Sequence, residues 1–322
     1  MCCLFGILDY KKNLTMRQRQ TILKVLSAEC EERGTDATGI ACYVGDHLYI
    51  QKAPRPAHKM RFRLFNQAHY IMEHTRMSTQ GSEKFNFNNH PFDGHIRSNS
   101  FALAHNGVLH NENELRAKYN LPPAKIETDS YVAVQLLEHY GDVSFNSLKH
   151  MAEAVQGTFT FTVLDHQSNI YFVRGNNPMC IVHFPKPGFY LYASTKEILM
   201  RVLGILKFDK LSFDEIQIQQ GDILRIAADG SISCDRFNDA NISNYSRFLF
   251  DDFGDYPPIP YSSNDDEYIN QLLEYADYNG IDRASLEKLI GAGFDWMSIE
   301  EIIYAPDVIQ EYLDMVLCDS EI

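Results

Sequence analysis

The chain has no C-x-x-C pair, no HExxH, no GxGxxG and no GxxxxGK[ST] run. These absences leave no usual sign of a zinc knuckle, a metalloprotease helix, a dinucleotide fold or a phosphate loop. No apolar stretch approaches the roughly 18 residues that a spanning helix needs, so no membrane association is expected. The apolar start lacks a basic leader and runs into Lys11-Lys12, unlike a secretory signal. Basic residues are scarce at one end only. Residues 251–322 carry 2 Lys+Arg against 18 Asp+Glu, whereas residues 1–250 carry 27 against 25. The total of −14 argues against a nucleic-acid partner held through phosphates. The seven cysteines (2, 3, 30, 42, 180, 234 and 318) are odd in number and lie mostly in apolar or helical patterns. That usage fits a reducing, cytoplasmic protein without a disulfide framework, and no metal or cofactor is expected.

What is present begins at Met1-Cys2. Clipping the initiator methionine ahead of a small residue would leave a thiol and an α-amine on one amino acid. An α-amine has an ordinary pKa of about 7.7 to 8.0, so its neutral fraction near pH 7 can accept the thiol proton. Cys3-Leu4-Phe5-Gly6-Ile7-Leu8 then reads as a fully buried strand that would hold the terminus in a sheet core. The plainer alternative is a small buried Cys at the start of a core strand.

Further along, Ile22, Val25, Leu26 and Cys30 recur at helical spacing between Thr15 and Arg33, and Gly34 supplies a stop. Gly39 to Gly45 and His47 to Lys52 form a hairpin about Gly45-Asp46, leaving 33–39 as a loop. The polar stretch 74–81, with Arg76 among hydroxyl residues, suits a carboxylate-binding rim. Phe101 to Ala104 reads as a strand ending at His105-Asn106-Gly107. Asn-Gly there is either a turn or a pair of oxyanion donors. Asn111 and Glu114 fit a capping box for a helix to Tyr119. Asp129 opens a helix to Tyr140, where the helix dipole alone would favour a carboxylate. A third helix covers Phe145 to Val155. Four strand candidates follow between Thr158 and Ala193, then a helix over Thr195 to Leu203 and a hairpin over residues 221–234.

Strands, helices and strands again, without one-to-one crossovers, predict an α+β fold of stacked antiparallel sheets flanked by helices. Three regions are expected: a domain over 1–240, a linker over 241–264 containing Tyr256-Pro257-Pro258-Ile259-Pro260, and a small acidic helical domain over 265–322. Helices in the last are expected at 266–278, 283–290, 299–304 and 307–317, with Trp296 in its core.

In order, MCCLFG at 1–6, RGTDATGIA at 33–41, HTRMSTQG at 74–81, NNHPF at 88–92, AHNGVLHNENELR at 104–116 and TDSYVAVQLLEHY at 128–140 resemble the class II glutamine amidotransferase domain, an N-terminal nucleophile hydrolase. The resemblance covers about residues 1–235. It implies a four-layer αββα sandwich that hydrolyses L-glutamine to glutamate and ammonia. It further implies Cys2 as nucleophile, Asn106 and Gly107 as oxyanion donors, Arg76 on the substrate α-carboxylate and Asp129 on its α-ammonium. Arg33 is expected close to the nucleophile, with His74 and Thr79 bracing the Arg76 loop. Cys3 replaces the Gly that usually follows the nucleophile. Met77 and Gln80 stand where the glucosamine-6-phosphate synthase branch has Trp and His, which argues against that branch. No synthase domain is expected in the tail, so the ammonia would pass to a separate synthase or ligase. A glutamine-sensing or partner-docking module without turnover is the alternative.

Overall fold

The computed structural model describes residues 2–78, 80–240, 242 and 282–291. Alternation along β1 (Cys3–Leu8) sorts its side chains into two layers: Cys3, Phe5 and Ile7 face one hydrophobic cluster, Leu4 and Leu8 another. β1 sits between β10 (Phe189–Ala193) and β4 (Tyr70–Arg76), antiparallel to both. Outward from these lie β9 (Cys180–Phe184) and β11 (Asp214–Ile216) on one side, and β2 (Ala37–Val44) and β3 (His47–Ala53) on the other, completing a seven-stranded sheet. A six-stranded sheet runs in the order β13 (Ile232–Arg236), β12 (Asp222–Ile226), β8 (Ile170–Arg174), β7 (Gly157–Leu164), β6 (Asn99–Leu109) and β5 (Phe92–Ile96).

Leu4, Leu8, Ala41 and Met72 from the first sheet meet Ala102, Ala104, Phe172 and Leu224 from the second. The outer face of the first sheet is covered by α1 (Met16–Cys30) and α5 (Lys196–Leu206), through Ile22, Leu26, Ile198 and Val202. α3 (Tyr131–Tyr140) and α4 (Phe145–Ala154) cover the second through Val132, Leu136, Leu148 and Met151. The result is the expected four-layer αββα sandwich. α2 (Glu112–Lys118) precedes α3. Asp9, just past β1, pairs with Arg19 of α1 at 3.3 Å, both essentially buried, fixing where the first strand leaves the sheet.

The chain divides into two units, Met1–Leu249 and Phe250–Ile322. In the second, α6 (Arg283–Gly291) falls where a helix was expected. The expected helices at 266–278, 299–304 and 307–317, and Trp296, lie outside the described residues.

Three local expectations are corrected. Asn106-Gly107 is not a turn: β6 continues to Leu109 because both residues pair with β7, opposite Thr160 and Phe159. The Asn111 side chain does not cap α2, because it donates to the Ala154 carbonyl at 3.0 Å and accepts from the Gln156 amide at 2.9 Å. The stretch expected as a polar rim from residue 74 is strand as far as Arg76.

Glu73 of β4 shares a face with Ile71 and is fully buried, and neither carboxylate oxygen has a partner among the described residues. Burial, then the nearby Cys3 thiol, pushes its carboxyl well above the usual range. A raised folded-state pKa favours folding below the unfolded value of about 4.3 and loses that advantage as pH rises toward the folded value. Glu73→Gln removes this proton. Its unfolding free energy relative to wild type, measured in denaturant, is therefore expected to climb as pH rises above about 4.3, by at most about 1.4 kcal/mol per pH unit. A difference independent of pH would show that Glu73 does not enter the fold protonated.

Candidate active site

The register of β1 against β4 pairs Cys3 with Thr75, so Cys2 lies beside Arg76 at the end of the ladder. By alternation Cys2 and Arg76 belong to the face toward the second sheet, which also carries Leu4 and Met72. On β6, Asn106 shares its face with Ala102 and Ala104, which look back at the first sheet. One end of the gap between the sheets thus receives Cys2, Arg76 and Asn106.

The Cys2 thiol donates to the Met77 carbonyl at 3.6 Å, and Arg33 Nε donates to the Cys2 carbonyl at 3.1 Å. Burial raises the thiol's pKa, the Met77 contact and the Arg76 charge oppose that rise, and Asp129 adds to it. Burial likewise lowers that of Arg76, opposed by Cys2, Asp36, Glu83 and Asp129. Arg76 and Asp129 therefore both act on the thiol, and they act with opposite signs.

Arg76 is almost wholly buried, and its guanidinium is held by Asn89 Oδ1 at 2.7 Å and by the Gln80 and Gly81 carbonyls at 2.6 and 2.7 Å. Gly34 is required beside it: a Cβ there would lie 2.5 Å from the Arg76 carbonyl carbon. Asp129 precedes α3, and its carboxylate accepts the Leu109 amide at 2.5 Å, two residues beyond Gly107. It is thus tied to the strand that carries the candidate oxyanion donors.

Asn106 Nδ2 is buried and has no partner among the described residues. An unmet buried donor costs about 1–3 kcal/mol, so it suits a group whose acceptor arrives with the substrate. Asn177 Nδ2 donates to the Asn106 carbonyl at 2.8 Å, fixing the Asn106–Gly107 peptide. Gly107 has φ +141°, and a Cβ there would collide with the Thr158 carbonyl.

His74, expected to brace the Arg76 loop, reaches across to the second sheet. Its Nε2 donates to the His105 carbonyl at 2.9 Å and so ties the two sheets together. Burial pushes its pKa down to about 3. The His90 ring lies 4.3 Å from the His74 ring, tilted by 36°, and burial holds it well below the usual imidazole range. His105, bonded to Ser130 Oγ at 2.7 Å, is lowered as well, again by burial. All three rings are neutral at pH 7 and weakly basic. Thr79 lies outside the described residues. Among those residues no group of three or more His, Cys, Asp or Glu is placed to hold a metal ion, and no helix is long and apolar enough to cross a membrane.

A family model described as a glutamine amidotransferase domain matches residues 74–201. Those residues carry a glutamine amidotransferase domain. The match spans Arg76, Asn106, Gly107 and Asp129 but begins after Cys2 and Arg33. A glutamine–fructose-6-phosphate aminotransferase (isomerizing) of Chlamydia muridarum is 29% identical over 209 residues, covering 63% of this chain and 30% of that protein. The Staphylococcus aureus (strain N315) protein of the same name is 25% identical over 276 residues, covering 80% and 44%. The chain thus spans less than half the length of these relatives. In three dimensions the domain is similar to the glutamine phosphoribosylpyrophosphate amidotransferase of Bacillus subtilis. The TM-score is 0.58 at 19% identity, over 74% of this chain and 49% of that one. That likeness gives the amidotransferase domain the N-terminal nucleophile hydrolase fold.

Asn89, Asn177 and the Met77 carbonyl have no role assigned from the sequence, although Asn89 lies in the NNHPF motif of the resemblance. Asn89→Ala removes one of the three acceptors that hold Arg76, leaving the Gln80 and Gly81 carbonyls. It is expected to weaken glutamate binding by about tenfold in calorimetry, the scale of one charge-assisted hydrogen bond, with the fold intact. An unchanged affinity would separate Asn89 from the anchoring of a carboxylate.

Proposed function

We propose that the amidotransferase domain hydrolyses L-glutamine to glutamate and ammonia, with Cys2 as nucleophile and its own α-amine as base once Met1 has been removed. The observation that carries this reading is the register that sets Cys2 beside the Arg76 guanidinium, with the Asp129 carboxylate tied to the strand that carries Asn106 and Gly107. A raised thiol pKa means that little thiolate exists at pH 7, so a base is needed. Imidazoles as weakly basic as His74, at about 3, cannot serve. An α-amine on the same residue has the right strength.

Arg76 would hold the substrate α-carboxylate and Asp129 its α-ammonium, directing the side-chain amide to the sulfur. The Cys2 thiol gives its proton to the amine as sulfur attacks the amide carbon, and Asn106 Nδ2 with the Gly107 amide receives the oxyanion. The amine returns the proton to the departing nitrogen, releasing ammonia and leaving a thioester. Water, deprotonated by the same amine, then frees glutamate. Arg33 positions the nucleophile through the Cys2 carbonyl, and His74 holds the two sheets at the spacing this chemistry needs.

Residues 1–240 form the glutaminase domain in this reading, 241–264 the linker and 265–322 an acidic helical domain. The ammonia passes to a separate synthase or ligase in a reducing, cytoplasmic setting. The excess of 18 acidic over 2 basic side chains in 251–322 suits docking to a basic partner surface.

Glutamate release decides the matter. Cys2→Ala, or any residue left ahead of Cys2, is expected to abolish it, and kcat/KM for wild type should rise with pH through an apparent pKa of about 7 to 8. Asn106→Ala should lower kcat by about 100- to 1000-fold, whereas Arg76→Lys should chiefly raise KM. Undiminished turnover by Cys2→Ala would overturn the assignment. Tight glutamine binding without turnover in the mature wild type would favour a sensing module instead.

A further inference from the structure

Between Lys52 and Arg63 the chain carries five Lys/Arg and no Asp or Glu, a run for which the glutaminase site has no use. The structure folds it around a cleft of about 620 Å³ beside the edge strand β3, lined by Gln51, Lys52, Arg55, Lys59, Met60 and Arg61, with Ala53. Its walls are fixed. Gln51 Nε2 donates to the Arg61 carbonyl at 2.9 Å, Gln51 Oε1 accepts the Arg63 amide at 2.8 Å, and Thr38 Oγ1 donates to the Arg55 carbonyl at 3.0 Å.

Four cations therefore surround one concavity, and no lining residue is acidic. Among the described residues none supplies a carboxylate to Arg55, Lys59 or Arg61, whose side chains are exposed. Glu31 does reach this segment, but both its oxygens go to His58, accepting its amide at 3.2 Å and contacting Nδ1 at 2.6 Å. Lys52 is tied down, its ammonium donating to the Asn89 and Pro91 carbonyls at 2.6 and 2.9 Å. Burial lowers its pKa to about 8, so it stays largely charged at pH 7, and it joins the cleft lining to Asn89, one of the groups that hold Arg76.

We propose that this cleft binds a small, multiply charged phosphorylated molecule, a site separate from the glutamine pocket and independent of the glutaminase reading. The volume lies in the range of small-molecule sites, and a planar guanidinium pairs with a phosphate through parallel N–H bonds. Two guanidiniums and an ammonium converging without an acidic neighbour match the spread of charge on a diphosphate or a nucleotide. The Met60 side chain offers an apolar contact for an attached group. A nucleic-acid strand is a poor fit to a chain whose net charge is −14.

Titration calorimetry of the full chain with pyrophosphate, ATP and citrate at matched ionic strength tests the site. Pyrophosphate and ATP are expected to bind saturably and to compete with each other, and citrate to bind at least about tenfold more weakly. Arg55→Ala and Arg61→Ala should each weaken binding about tenfold, the scale of one charge-assisted contact, while Lys24→Ala, an exposed lysine on α1, should not. Circular dichroism confirms that each variant is folded. Absence of saturable binding, an affinity unchanged in the Arg55→Ala/Arg61→Ala double variant, or citrate binding as tightly as pyrophosphate would each overturn the proposal.

Discussion

Everything at the candidate site depends on β1 lying in the interior of a sheet, hydrogen-bonded on both edges. A chain terminus ordinarily frays, because its backbone groups find water as easily as they find protein. Here Phe5 pairs with Ala193 on one side and Cys3 with Thr75 on the other. The residue just before the strand therefore inherits the position of a core element. A shift of one residue in the β1–β4 register would turn Cys2 and Arg76 to opposite faces, and the site would cease to exist.

The polar groups gathered there are expensive to bury, and the fold meets that cost by binding most of them to backbone. Arg76 rests on two carbonyls and one amide oxygen, Asp129 on the Leu109 amide, and His74 on the His105 carbonyl. Asn106 Nδ2 is the exception. Fixed donors and acceptors of this kind do not reorganise when charge develops, which is where most of the advantage of an oxyanion site comes from. The same packing keeps three imidazoles weakly basic, which is why the proposed mechanism turns to the α-amine of Cys2 for its base.

Layering was legible because it follows from alternation: Leu4 and Leu8 against Cys3, Phe5 and Ile7 is a pattern that one strand carries in its own sequence. The family motifs likewise named Arg76, Asn106 and Asp129 as residues to watch. Less legible were places where a distant partner overrules a local preference. Asn-Gly favours a turn, but Asn106 and Gly107 are held in β6 by β7, some fifty residues away in the chain. Asn111 has the composition of a cap, yet its amide is more useful to Ala154 and Gln156. Asn89 gave no periodic sign at all, since a side chain that orients another through one oxygen leaves no trace in hydropathy. The run of five cations between Lys52 and Arg63 had a visible charge pattern, but only the fold shows that four of them line one cleft.

The central claim is that the reacting group is the thiol of a chain-terminal Cys2. An electrophilic diazoketone analogue of glutamine, followed by intact-mass and peptide mapping, tests it most directly. The account predicts one adduct per chain, located on Cys2 at a terminus that has lost Met1, blocked by excess glutamine and missing from protein that retains Met1. Labelling of Cys3 or any other residue in its place, or equal labelling of the Met1-bearing protein, would contradict it.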